Sequence, residues 1–127
     1  MRQLLTALSA IIALSGSGVS SSAHHYFPTF DQEHPMQLVG TVKELRYMGP
    51  HTFIILEVND GDGGTQLWNL EGGPPGGLAF SSWLSNALQP GDELELMIDP
   101  LRSGARGGAW NVNKMKFKDG RPVIVPH

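Results

Sequence analysis

The sequence predicts a mainly β domain: a small five-stranded barrel with one short helix between its third and fourth strands. Three observations lead there. Five segments within residues 37–117 carry strand patterning, through β-branched and aromatic content or through alternation. Clusters of Gly, Pro and Asp-Gly punctuate them. After the third segment the apolar period lengthens from strand-like to helix-like, then returns.

Taken in order, QLVGTVKELRYM (37–48) is rich in β-branched and aromatic residues, with Gly40 as a bulge or bend. GPHT follows as turn chemistry and puts His51 in the first loop. TFIILEVN (52–59) is an almost unbroken apolar run, as expected of a strand buried on both faces. NDGDGG is a hairpin loop. TQLWNLEG (65–72) sets Leu67, Asn69 and Glu71 on one face and Gln66, Trp68 and Leu70 on the other. Beyond GGPPGG, the residues Phe80, Trp83, Leu84, Ala87 and Leu88 form a helical stripe that QPGD stops. ELELMID (93–99) alternates, with Leu94, Leu96 and Ile98 inward. PLRSGARGG is a loop, and AWNVNKMKF (109–117) a fifth strand whose alternation slips near Asn113. Three strands, a helix and two strands is the order of the OB-fold, a Greek-key barrel that binds ligands at its first and fourth strand connections. In that frame His51 lies in the first connection, and Arg102 and Arg106 in the second. Another small β-barrel or sandwich with one helix is the alternative.

The N-terminus reads as an export signal. Arg2 precedes the apolar run LLTALSAIIAL (4–14), which is too short to span a bilayer. Ser21 and Ala23 then match the small-x-small pattern that predicts cleavage before His24. A buried helix fits less well, because the run is apolar on every face. The expected organisation is a signal peptide over 1–23 and one domain over 24–127, so the mature chain holds 127 − 23 = 104 residues. Losing Arg2 moves the formal charge from −3 to −4. A mildly acidic domain is a poor nucleic-acid binder, and no membrane span remains after cleavage. With no cysteine in the chain, disulfides, thiolate metal sites and cysteine nucleophiles are all excluded. The expected location is periplasmic or secreted.

Several segments together carry a resemblance: AHHYFPTFD, GTVKELRYMGPHTFIILEV, LWNLEG, LQPGDELELMIDPLRSGARGGAW and DGRPV. The chain resembles a family of small exported bacterial proteins of unknown function. In that family the mature chain opens with His-His, a Pro-His pair follows the first strand, and a Pro-Gly-Asp turn precedes the fourth. Tyr26 departs from the family's small hydroxyl residue, and Gly49 from its Asn. The resemblance implies export and a single β-rich domain. It implies no activity.

Two of the five histidines, His24 and His25, would then open the mature chain. A free α-amine titrates at about 7.7–8.0, so it is partly deprotonated near neutral pH. Amine and imidazole of His24 form a chelate. A second imidazole from His25 or His51 completes a three-nitrogen set suited to tetragonal Cu(II). Cleavage after Ser22 would instead place His24 second and His25 third, another copper-competent terminus. Zinc is the second choice by ligand type.

The blander readings stand beside these. The two histidines can be a solvated tail, His51 a turn residue, and His34 and His127 have no evident partners. Asp31 and Glu71 are candidate oxygen ligands or acceptors for a ligating imidazole, although Glu71 also fits a plain outward strand position. Trp68, Trp83 and Trp110 fit packing. Arg102 and Arg106 in a glycine-rich loop are a weak anion-site pattern. Ser81, Ser82 and Ser85 lie near no histidine in sequence, so nucleophilic catalysis lacks support. Two functions follow: an exported metal-binding protein in copper handling, or an OB-like module that binds a small molecule, a saccharide or an envelope protein. No protein partner is legible, and an enzyme is the less favoured reading.

Overall fold

The computed structural model describes residues 29–49, 51–72, 84 and 86–123. Five strands, β1 (Met36–Met48), β2 (His51–Asn59), β3 (Thr65–Gly72), β4 (Glu93–Pro100) and β5 (Gly107–Phe117), form a closed barrel in the order β1-β2-β3-β5-β4. All neighbours are antiparallel except β3 and β5, which run parallel through Asn69–Gly107, Leu70–Gly108 and Glu71–Ala109. The expected five-stranded Greek-key barrel is the observed one. Of the expected helix, Leu84, Asn86 and Ala87 carry helical backbone, and the Leu88 amide donates to the Leu84 carbonyl at 2.8 Å. Phe80 and Trp83 lie outside the described residues.

Period-two patterning explains the strands directly. Leu94, Leu96 and Ile98 of β4 turn into the core, while Glu93, Glu95 and Met97 face outward. On β2, Ile54, Ile55 and Leu56 are all buried, as the unbroken apolar run requires. Leu84 and Leu88 have no exposed surface and pack into the same core cluster as Val42, Leu56, Leu70 and Trp110. The turn after them is tied to β1: Val42 donates to the Asp92 carbonyl and Gly91 donates to the Val42 carbonyl, both at 2.8 Å.

Two local expectations meet different outcomes. The irregularity expected near Asn113 is present: Leu96 pairs with Met115 and Ile98 with Trp110, so four residues of β5 oppose one of β4. In β1 the register shift falls between Val42 and Glu44, not at Gly40. Gly40 meets a different demand. It pairs with Val58 of β2 and with Leu94 of β4, where β1 bends from one ladder into the other. A Cβ there would sit 2.5 Å from the Glu57 carbonyl oxygen, so the close approach admits only glycine.

Candidate functional site

The mouth of the β1–β2 hairpin is built by register. Met48 and His51 are directly paired, so the chain reverses within two residues and His51 opens β2 instead of lying in a loop. The expected loop position is corrected on this point. A directly opposed pair shares a face, and alternation puts Phe53 on that face too. Phe53 pairs with Glu71, which brings the Glu71 carboxylate back toward the imidazole. His51 Nδ1 lies 3.1 Å from Glu71 Oε1. This nitrogen is shielded from solvent, and the contact is too poorly aligned to be a hydrogen bond. The imidazole as a whole is 42% exposed, so its outer edge meets water.

Beneath this face the strand ends are held firmly. Trp110 is buried and its Nε1 donates to the Thr52 carbonyl at 3.0 Å. A Cβ on Gly72 would fall 2.1 Å from Trp110 Cε2, so glycine there makes room for the indole. Trp68 packs against the core from a half-buried position, with its Nε1 shielded and unpartnered among the described residues. Both tryptophans therefore pack, as expected. Trp83, Ser81, Ser82 and Ser85 lie outside the described residues.

A second polar cluster forms where the chain enters the barrel. Phe30 bridges Leu101, the Asp31 amide donates to the Pro100 carbonyl at 2.8 Å, and the Arg102 amide donates to the Thr29 carbonyl at 3.0 Å. The segment leading into β1 is thus stitched to the start of the β4–β5 connection. The Asp31 carboxylate then gathers three groups: His34 Nδ1 at 3.0 Å, the Glu33 amide at 3.2 Å and the Arg102 guanidinium at 3.7 Å. The His34 hydrogen bond is the main reason that the Asp31 carboxyl lies below its ordinary value; partial desolvation opposes it. Asp31, Glu33 and His34 offer ligand atoms within 4.8 Å of one another, the one such group among the described residues. His34, expected to lack a partner, has one in Asp31.

Arg106 leans on β3 partway along its length: its carbonyl accepts from the Asn69 amide at 3.2 Å, and its guanidinium donates to Gln66 Oε1 at 3.4 Å. Asn69 precedes Gly72, the partner of Thr52, by three residues, about 10 Å of strand. Arg102 is turned to Asp31 instead. Each arginine thus has a polar neighbour, Asp31 for Arg102 and Gln66 for Arg106. His24, His25 and His127 lie outside the described residues.

Sequence reading missed Met48 as a neighbour of His51. The signal was present, because residues flanking a two-residue reversal between strands are paired. It also missed Asp31–His34, a contact three residues apart that depends on the turn before β1.

The barrel is similar to two crystal structures of the mitochondrial single-stranded DNA binding protein Rim1 from S. cerevisiae. One matches with a TM-score of 0.53 at 13% identity, covering 67% of this chain and 93% of that chain. The other, selenomethionine-labelled, matches with a TM-score of 0.50 at 11% identity and the same coverage. At these identities the likeness is one of fold, and it makes the barrel OB-like. No curated protein matches the chain. The family of unknown function DUF6152 matches over residues 12–117, and the chain belongs to that family.

Proposed function

We propose that the protein is exported, loses residues 1–23, and binds Cu(II) at the resulting N-terminus in a role of metal handling. The observation that carries this reading is His24-His25 standing directly behind the Ser21-x-Ala23 pattern. Amine and ring of His24 would chelate the ion, and the adjacent His25 would give a third nitrogen in tetragonal geometry. Zinc is the weaker choice. The fold lends support by tethering Thr29–Asp31 to Pro100–Arg102. Thr29 is five positions after His24, a leash of at most about 18 Å, so a terminal site would stay beside the barrel. His51, the other candidate for the third nitrogen, opens β2 with its Nδ1 3.1 Å from Glu71 Oε1.

The second reading, a non-metal binding module, draws on the barrel and on an open groove of about 320 Å³ where β4 and β5 slip register. Gln37, Glu95, Asn113 and Lys116 line it, which suits a small polar ligand. Single-stranded DNA is not part of either reading. Lys43 is engaged by Glu57 and Arg46 by Glu44, and the formal charge is −3, which leaves little on the β1–β2 face for phosphates.

Sequencing of exported protein should begin His-His-Tyr, and mature protein should bind one Cu(II) with nitrogen-rich tetragonal spectra. Changing both His24 and His25 to Ala removes the chelating rings and should remove most of the affinity. Retention of the leader, or equal Cu(II) affinity with and without the two histidines, would reject the terminal site and move the weight to the binding module.

A further inference from the structure

We infer that Met48 and His51 form a Cu(I) site at the mouth of the β1–β2 hairpin, separate from the proposed terminus, with the Glu71 carboxylate beside the inner nitrogen of the imidazole. Three independent features meet there. Met48 is 63% exposed, the highest figure among the exposed large apolar residues described, so packing does not account for it. It is the direct cross-strand partner of His51, and such partners hold their Cβ atoms about 4.5–5.5 Å apart on one face. A thioether and an imidazole can therefore reach one ion between them. Finally, Glu71 Oε1 lies 3.1 Å from His51 Nδ1, and that nitrogen is shielded, which leaves Nε2 as the outward donor. A carboxylate beside the inner nitrogen of a ligating histidine orients the ring once it accepts that N–H.

The donor types choose the ion. Thioether sulfur is soft and favours Cu(I), whereas hard cations favour carboxylate and carbonyl oxygen. Low coordination number also suits a pair of donors on an open hairpin. Nearby charge does not oppose the site, because the Arg46 guanidinium is held by both oxygens of Glu44 at 2.8 Å. Met97 is exposed at 37% but has no histidine opposite it: its partner in β1 is Gln37. It serves as the internal control.

The test is an anaerobic titration of mature protein with Cu(I) against a chromophoric Cu(I) chelator, together with copper X-ray absorption. All chains carry His24→Ala and His25→Ala, so that the terminal copper ligands are removed from the measurement. Parent protein should bind one Cu(I) with a sulfur scatterer in its shell. Met48→Leu should lose that scatterer and at least about tenfold in affinity, and His51→Gln should weaken binding comparably. Glu71→Gln should cost about tenfold, as loss of a partner behind a ligating histidine does. Met97→Leu should change nothing. Retention of the sulfur scatterer in Met48→Leu, or equal affinity across the set, overturns the site, whatever the Cu(II) comparison at the terminus gives.

Discussion

Gly40 is where the barrel is least forgiving, and Gly40→Ala tests whether β1 really serves two ladders at one residue. The added Cβ would lie 2.5 Å from the Glu57 carbonyl oxygen and 2.9 Å from Leu56 Cγ. Leu56 is fully buried, and the carbonyl belongs to the paired strand, so neither can swing aside. Relief to 3.0 Å needs a shift of about 0.5 Å (3.0 − 2.5) between β1 and β2, at a residue that Leu94 holds from the other side. Overpacking of this kind costs about 1–3 kcal/mol. One weakened ladder bond adds about 1 kcal/mol. The stiffer unfolded chain of the alanine variant returns about 0.4–1 kcal/mol. The net loss is about 1–4 kcal/mol. A central value of about 2 kcal/mol lowers the melting temperature of a domain this size by about 8–16 °C. Thermal unfolding followed by circular dichroism measures it, with Val39→Ala as reference. Val39 is the preceding residue of β1 and is 43% exposed, so its truncation should cost under about 1 kcal/mol. A Gly40→Ala protein as stable as the parent, or no worse than Val39→Ala, would refute the double-ladder account.

Two further outcomes follow from the core and from the entry cluster. Leu88→Ala, at a core position with no exposed surface, should cost about 2–5 kcal/mol by urea unfolding, and a loss under about 1 kcal/mol would mean that the turn from Leu84 to Leu88 does not seal the barrel. Asp31 has a folded pKa below its unfolded value of about 3.9. Its contribution to stability is therefore full above that value and is lost as pH falls through the lower folded value. Asp31→Asn should accordingly lie below the parent in melting temperature at pH 6 and draw level in strong acid, and a gap that stays constant with pH would contradict the His34–Asp31 contact.

Much of the barrel was legible because strands announce themselves locally. Alternation in β4, the apolar run of β2 and the turn residues between them are properties of neighbours in sequence, and all five strands fell within about two residues of where patterning put them. The slip near Asn113 was visible for the same reason, as a break in alternation. Gly40 shows the limit. A glycine inside a strand signals a bulge or a close approach alike, and which one applies depends on how near β2 and β4 come.

The candidate sites divide in the same way. The sequence by itself excluded thiolate donors, since no cysteine is present, pointed to nitrogen and oxygen ligands, and singled out His24, His25 and His51. Only the tertiary structure decided company. It turned Arg102 to Asp31 and set Arg106 against Gln66 of β3. It set Met48 opposite His51 and carried Glu71, twenty residues further on, to within 3.1 Å of the ring. The physical reason is register: partners across strands are chosen by where the reversals and bulges fall, and one residue of slip turns every side chain to the other face.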